Sequence, residues 1–162
     1  ERMGGWSVAA AAADTLPGLL DALFALHGAR WGGRGECGVL ADPRVRAFHR
    51  AAAPRLLAAG VLRLYAGHVG GRLAAVHYGL ASGGRSYYYI GGFAPELAKA
   101  GPGTLAVGHA IEQAVREGAE AFHFLRGRES YKYRWGAVDR WSRRRLLTVP
   151  NAGPPENRWT RH

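Results

Sequence analysis

The stretch 87–125 constrains the fold more than any other part of the chain. Tyr87-Tyr88-Tyr89-Ile90 reads as a strand of aromatics that runs into Gly91-Gly92 and a proline-containing loop. The loop closes on Gly101-Pro102-Gly103-Thr104. Beyond it Leu105, Gly108, Ile111, Ala114 and Val115 recur at helical spacing, with Glu112, Gln113, Arg116 and Glu117 on the other side. Gly118 stands where a helix would end, and the apolar run Ala121-Phe122-His123-Phe124-Leu125 predicts another strand. The first amides of a helix have no internal partner and carry the positive end of its dipole. Glycines let an anion approach them closely. Residues 101–104 are therefore a candidate phosphate site, although Gly-Pro-Gly is also an ordinary tight turn.

Upstream, Trp6–Ala10 predicts a first strand. Asp14 or Thr15 caps a helix with Pro17 in its first turn, running to about residue 27 with Leu16, Leu19, Leu20, Leu23, Phe24 and Leu26 inward. Residues 28–38 read as a glycine- and arginine-rich loop around Trp31. Asp42-Pro43 opens a second helix with Val45, Phe48, Ala52 and Leu56 inward and Gly60 at its end. In 61–69, Val61, Arg63 and Tyr65 alternate with Leu62 and Leu64. Gly70-Gly71 turns that strand into 72–81, and Ser82-Gly83-Gly84 turns into 85–92. A helical or irregular segment over 129–138, a last strand over 144–149 and a polar tail to residue 162 complete the order β-α-α-β-β-β-α-β-(α)-β. The expectation is one mixed α/β domain over 1–149, an α+β sheet that is mostly antiparallel and flanked by helices. Such sheets hold a ligand where neighbouring strands diverge.

A chain of 162 residues can bury a sizeable core without disulfide or metal. With 48% hydrophobic and 21% charged residues it reads as globular and not as disordered. No apolar run is long enough to span a membrane, and the alanines near residue 10 lack the basic start of a signal peptide. Cys37 is the only cysteine, which excludes an internal disulfide and favours the cytoplasm. No His, Cys or Asp pair has ligand spacing, so no metal is expected. The net charge is +10, and the basic residues crowd between Arg126 and Arg145, opposed only by Glu129 and Asp139. That segment is either a surface for polyanions or a solvated arginine-rich face.

Several motifs occur together in order: Leu26-His27-Gly28-Ala29-Arg30-Trp31, Phe48-His49-Arg50, Tyr89-Ile90-Gly91-Gly92-Phe93-Ala94-Pro95, Gly101-Pro102-Gly103-Thr104-Leu105, Phe124-Leu125-Arg126-Gly127 and Tyr131-Lys132-Tyr133-Arg134-Trp135-Gly136. With them, residues 5–149 resemble the GNAT superfamily, specifically its BioF2-like/CelD-like acetyltransferase domain, a relative of the FemABX aminoacyltransferases. The resemblance implies transfer of an acyl group to an amine, from acetyl-CoA or another acyl-CoA, or from aminoacyl-tRNA as in the Fem branch. It carries the pyrophosphate turn to Gly101, Pro102, Gly103 and Thr104, and the splayed strand that meets the donor's pantetheine arm to 89–93, Gly91, Gly92 and Phe93 included. It also places Lys132 near a substrate or donor phosphate. Such domains are commonly the second of two GNAT-like halves, in keeping with a chain that starts at Glu1. A second half or a homodimer is thus an expected partner. The chain carries His123 and Arg128 where relatives of this type have acidic residues.

Amine attack on a thioester requires deprotonation, polarisation of the carbonyl and a proton for the thiolate. An amide near Gly91 or Gly92 can polarise the carbonyl, unless the two glycines simply mark a β-bulge. His123 is the base candidate, against the alternative of a core histidine. Glu129 is either a base through water or an ion-pair partner of Arg126 or Arg128. Tyr131 is the acid candidate, and His77 lies mid-strand where it could face an acceptor groove. The expected function is N-acyl transfer to a primary amine, on an amino sugar or cell-envelope precursor. The alternatives are a catalytically degenerate half-domain that binds a partner, and a tRNA-dependent transferase.

Overall fold

The structure, a computed structural model, describes residues 5–33, 35 and 38–141. The chain divides between Gly127 and Arg128 into two compact units. The first holds a five-stranded sheet in the order β1 (Trp6–Ala10), β2 (Leu62–Val69), β3 (Arg72–Ser82), β4 (Arg85–Phe93) and β5 (Ala121–His123). Neighbours are antiparallel up to β4, and β5 lies parallel to β4. The sheet is thus mixed, as the crossover helix requires. Both hairpins are two-residue turns whose glycines take the left-handed φ that such turns need: +57° and +78° at Gly70 and Gly71, +57° and +69° at Gly83 and Gly84.

Helices α1 (Leu16–Gly32) and α2 (Pro43–Ala58) cover one face, and α3 (Pro102–Arg116) covers the other. On β2, Leu62 and Leu64 join Leu16, Leu20, Leu23, Phe24, Ala53 and Tyr78 in the core beneath α1 and α2. Each fully buried leucine or phenylalanine there contributes about 1.5–3 kcal/mol. Arg63 and Tyr65 alternate with these leucines on a face where Tyr65 is buried and Arg63 half-buried. Arg63 donates to Glu117 just past the end of α3 (2.8 Å), and the Tyr65 ring meets His109 of α3 edge-on. What reads as the polar side of an exposed strand is the surface on which α3 packs.

The readings of three helices need correction. Helix α1 runs through Gly28 to Gly32, well into the expected loop, because His27 is buried and Trp31 packs against it (5.8 Å between ring centroids), so tertiary contact holds the glycine-containing turns helical. The Thr15 hydroxyl accepts from the Ala12 amide and makes no cap bond to α1. On α2 the Asp42 cap (2.8 Å to the Arg44 amide) and Pro43 stand as expected, but Phe48 is 64% exposed and the buried stripe passes through His49 and Ala53. On α3, Leu105 and Val115 are exposed while Pro102, Ala106, Val107, Ala110 and Ala114 are buried. Small side chains win there because they let the helix approach the rings of Tyr65 and His77. The expected strand 144–149 and the tail lie outside the described residues.

Candidate active site

Strand β4 is paired with β5 only at Arg85, Ser86 and Tyr87, opposite Ala121, Phe122 and His123, and then runs on alone of the two to Phe93. Strand β5 was expected to reach Leu125. It stops at His123, and Leu125 takes φ +56°, the single non-glycine residue with positive φ among those described. Along the same part of β4 the register to β3 slips: Tyr78 pairs with Ile90 and Gly79 with Tyr88, so Tyr89 is an extra, bulged residue. The bulge falls at Tyr89 and not at Gly91-Gly92, which pair regularly with His77 and Val76. A crevice therefore opens between β4 and β5 at Tyr87 and His123, beside a local kink in β4.

The end of β4 leads through a 3₁₀ segment (Pro95–Ala100) to the start of α3. Gly101, at φ +64°, turns the chain into the helix; Pro102 has no amide hydrogen, and the Leu105 amide bonds back to the Gly101 carbonyl (3.0 Å). The amides of Gly103 and Thr104 are those the helix geometry leaves pointing outward. A Cβ on Gly103 would lie 3.2 Å from the Phe93 ring, so the helix start rests on the last residue of β4. The residues expected to form the donor site, Phe93 and 101–104, are thus together.

The two glycines of β4 have packing reasons of their own. A Cβ on Gly92 would stand 2.7 Å from the His27 backbone nitrogen, so glycine lets α1 lie directly on the strand. A Cβ on Gly91 would meet the Tyr88 hydroxyl at 2.8 Å on the α3 side. His123 sits at the apex of the crevice with its ring stacked on Tyr87 (5.1 Å, 16° between planes), and its Nε2 is buried with no hydrogen-bond partner. His77 is buried beneath α3 between Tyr65, Tyr88 and His109. Burial, with a smaller contribution from His109, pushes its pKa down to about 3. It is a neutral imidazole in the body of the sheet.

The other candidates belong to the second unit, around the five-residue helix α4 (Ser130–Arg134). Lys132 is buried and its ammonium meets the Glu129 carboxylate at 2.8 Å, so Glu129 has an ion-pair partner in Lys132. Arg128 pairs with Asp139 (3.2 Å), which also accepts from the Tyr133 hydroxyl (2.9 Å) and raises that phenol's pKa. Tyr131 is half-buried. Among the described residues no group of three or more His, Cys, Asp or Glu side chains could hold a metal ion, and no helix is long and apolar enough to cross a membrane.

Sequence reasoning placed the bulged Tyr89 only on the strand beside the donor and gave no role to His49, which packs on it. Helical spacing puts His49 with Ala53 and Leu56, and choosing Phe48 as the inward residue concealed it. A cleft of about 310 Å³ between α1 and α2, lined by Leu16, Leu20, Asp21, Arg50, Pro54 and Leu57 among others, shares no residue with the crevice. It lies beside Pro54, which lacks the amide that would bond the Arg50 carbonyl.

Antiparallel strands, a crossover helix with a glycine-rich start and a parallel strand that parts from its neighbour define a mixed-sheet α/β protein with a candidate anion site at the helix start. The chain belongs to the GNAT acetyltransferases: the family model for an acetyltransferase (GNAT) domain matches residues 1–133. The resemblance read from the motifs is borne out at this level, and the protein is a transferase; GNAT acetyltransferases use acetyl-CoA. Among solved structures, an aminoglycoside acetyltransferase from an uncultured soil metagenomic sample is 16% identical, with 90% of this chain and 99% of that chain covered and a TM-score of 0.60. A second from such a sample, in complex with sisomicin, is 12% identical (90% and 97% covered, TM-score 0.60). An aminoglycoside 6'-N-acetyltransferase from Acinetobacter haemolyticus is 11% identical (91% and 99% covered, TM-score 0.56). At these identities the likeness is one of fold. No curated protein matches the chain significantly.

Proposed function

We propose that the chain is an N-acetyltransferase of the CelD-like type that moves an acetyl group from acetyl-CoA to a primary amine on a small acceptor, such as an amino sugar or cell-envelope precursor. The observation that carries the reading is the crevice where β4 outruns β5 at the Tyr89 bulge, with the start of α3 beside the end of the same strand. In this reading the amides of Gly103 and Thr104 hold the donor pyrophosphate. The pantetheine arm follows 89–93, and a β4 amide near Gly91 or Gly92 polarises the thioester carbonyl. The amine nitrogen attacks that carbonyl and passes its proton to Nε2 of His123, the C–N bond forms, and the C–S bond breaks to release the CoA thiolate. Tyr131 as the acid for that thiolate, Glu129 as an alternative base and Lys132 as an anion contact are proposals that rest on the sequence. The Lys132–Glu129 ion pair ties the last two together. The neighbouring structures' aminoglycosides are amine-bearing, which agrees with an amine acceptor.

Calorimetric titration of acetyl-CoA into the protein at low and physiological salt tests this reading. Micromolar binding that persists at physiological salt is expected. Absence of binding, or binding that vanishes as salt rises, would overturn the donor site and leave a degenerate binding domain.

A further inference from the structure

Three consecutive tyrosines of β4 each rest on a histidine from a different element. Tyr87 stacks on His123 of β5 (5.1 Å between ring centroids), Tyr88 meets His77 of β3 (5.1 Å) and Tyr89 meets His49 of α2 (5.5 Å). The pleat divides the last two between the faces of the sheet, and the bulge keeps Ile90 on the face of Tyr89. Tyr88 points with Gly79 and His77 toward α3, the side of the glycine-rich helix start. Tyr89 points with Ile90 and Tyr78 toward α1 and α2. The donor site and the Tyr89–His49 pair thus lie on opposite faces of one kinked strand.

His49 does not have the environment of a core residue. It is 3% exposed, both ring nitrogens are buried and neither has a hydrogen-bond partner, while burial lowers its pKa and keeps it neutral. A neutral imidazole always carries one N–H donor and one lone pair. Leaving both unmet is worse for the fold than an apolar ring of similar size. The rings nearest it are Phe48, Tyr78 and Tyr89, and two of these are open to solvent, Tyr89 at 40% and Phe48 at 64%. An exposed aromatic surface with an unsatisfied imidazole one side chain beneath it is suited to receive a ligand. We propose, resting on the acetyl-transfer reading, that this is the acceptor's side of the reaction. The amine-bearing molecule stacks on Tyr89, whose phenol then bonds to a nitrogen of His49 and is fixed in place, which makes His49 a positioning residue.

The charges of the chain bear on the class of acceptor. Seven of the nine carboxylates among the described residues, Asp21, Asp42, Glu96, Glu112, Glu117, Glu129 and Asp139, already face an arginine or lysine. Asp14 accepts from the Thr15 amide, and Glu120 lies beside Gly84 at the closed end of the β4–β5 pairing. On a chain of net charge +10, ring stacking suits an uncharged or singly charged ring-borne amine better than a polycation.

The test measures acetyl transfer from acetyl-CoA to glucosamine, with sisomicin as the polycationic control, in the wild type and in His49→Phe, His49→Gln and Tyr89→Phe. The expected result for His49→Phe is a raised melting temperature, unchanged acetyl-CoA affinity and a KM for glucosamine at least about tenfold higher, with kcat changed far less. Tyr89→Phe should raise KM similarly, with no further rise in the double variant, because both act through one bond. His49→Gln, which keeps a hydrogen-bonding end and guards against misfolding of the phenylalanine variant, should recover part of the loss. Turnover of glucosamine that is equal in wild type and His49→Phe, including none in either, overturns the inference, as does a preference for sisomicin. Failure of the wild type to bind acetyl-CoA overturns instead the reading on which it rests.

Discussion

At the start of α3 the site is made of glycine and main chain; on the α1–α2 side of β4 it is made of rings. Gly101 and Gly103 begin α3 without side chains, whereas Tyr89, Phe48, Tyr78 and His49 pack aromatic surface on the other face of the strand. One side is suited to a phosphate, which needs amides and space, and the other to a ring, which needs another ring. The pleat of the strand separates them by turning Tyr88 and Tyr89 to opposite faces, and the bulge brings Ile90 to the same face as Tyr89.

The largest effect expected from breaking this contrast comes from Thr104→Glu. A carboxylate at an exposed position in the first turn favours the helix by about 0.3–1 kcal/mol. It opposes the donor pyrophosphate by about 2–4 kcal/mol at short range, so calorimetry should find acetyl-CoA binding weakened on the order of 100-fold in a protein that melts no lower. Equal affinity would remove the pyrophosphate from that helix start. Gly103→Val is less clean, because its Cβ would also press on Phe93.

The pH dependence of stability probes the same face more deeply. His77 has a folded pKa of about 3 against the ordinary 6.5. As pH falls below 6.5 the unfolded chain takes up a proton that the folded chain refuses, so stability is lost between pH 6.5 and 3 and the loss levels off below that. The loss amounts to several kcal/mol at most. His49 and His109 are also held low by burial and act in the same direction. Urea denaturation at pH 7, 5 and 4 should show this acid limb, and His77→Phe should flatten much of it. An unchanged limb would mean that the imidazole is not the buried neutral group described above.

Gly92→Ala tests the opposite face. With the new Cβ 2.7 Å from the His27 nitrogen, α1 or β4 must shift, and a loss of about 1–3 kcal/mol is expected, visible as a melting temperature lower by several degrees. If stability holds and only acetyl-CoA binding falls, the glycine serves the donor and not the helix. The smallest effect belongs to Asp42→Ala, which removes the cap of the helix that carries His49. About 1 kcal/mol of stability should go, with the KM for an amine acceptor rising more than the Kd of acetyl-CoA.

Much of the fold was legible in local pattern. Paired glycines at 70–71 and 83–84, the Asp42-Pro43 cap and the Gly101-Pro102 start are signals carried by neighbouring residues, and each falls where it was expected. The approach of that helix start to Phe93 at the end of β4 follows from the last of these, because a helix start is a local event and only a short connection separates the two. The face that each helix buries was not. Phe48 and Leu105 are apolar and lie outside, while His49 and Ala106 lie inside, because the sheet against which a helix packs selects by fit and depth, not by hydropathy alone.

The sequence by itself determined the order of strands and helices, the hairpin turns and the glycine-rich helix start, since backbone conformation at glycine and proline is settled within a few residues. Tertiary structure alone decided that β5 parts from β4 at His123, that the extra residue in β4 is Tyr89, and that three tyrosines in a row each find a histidine from a different element. Those contacts join positions up to 40 residues apart in sequence, and only the packing of separate elements on one sheet brings them together.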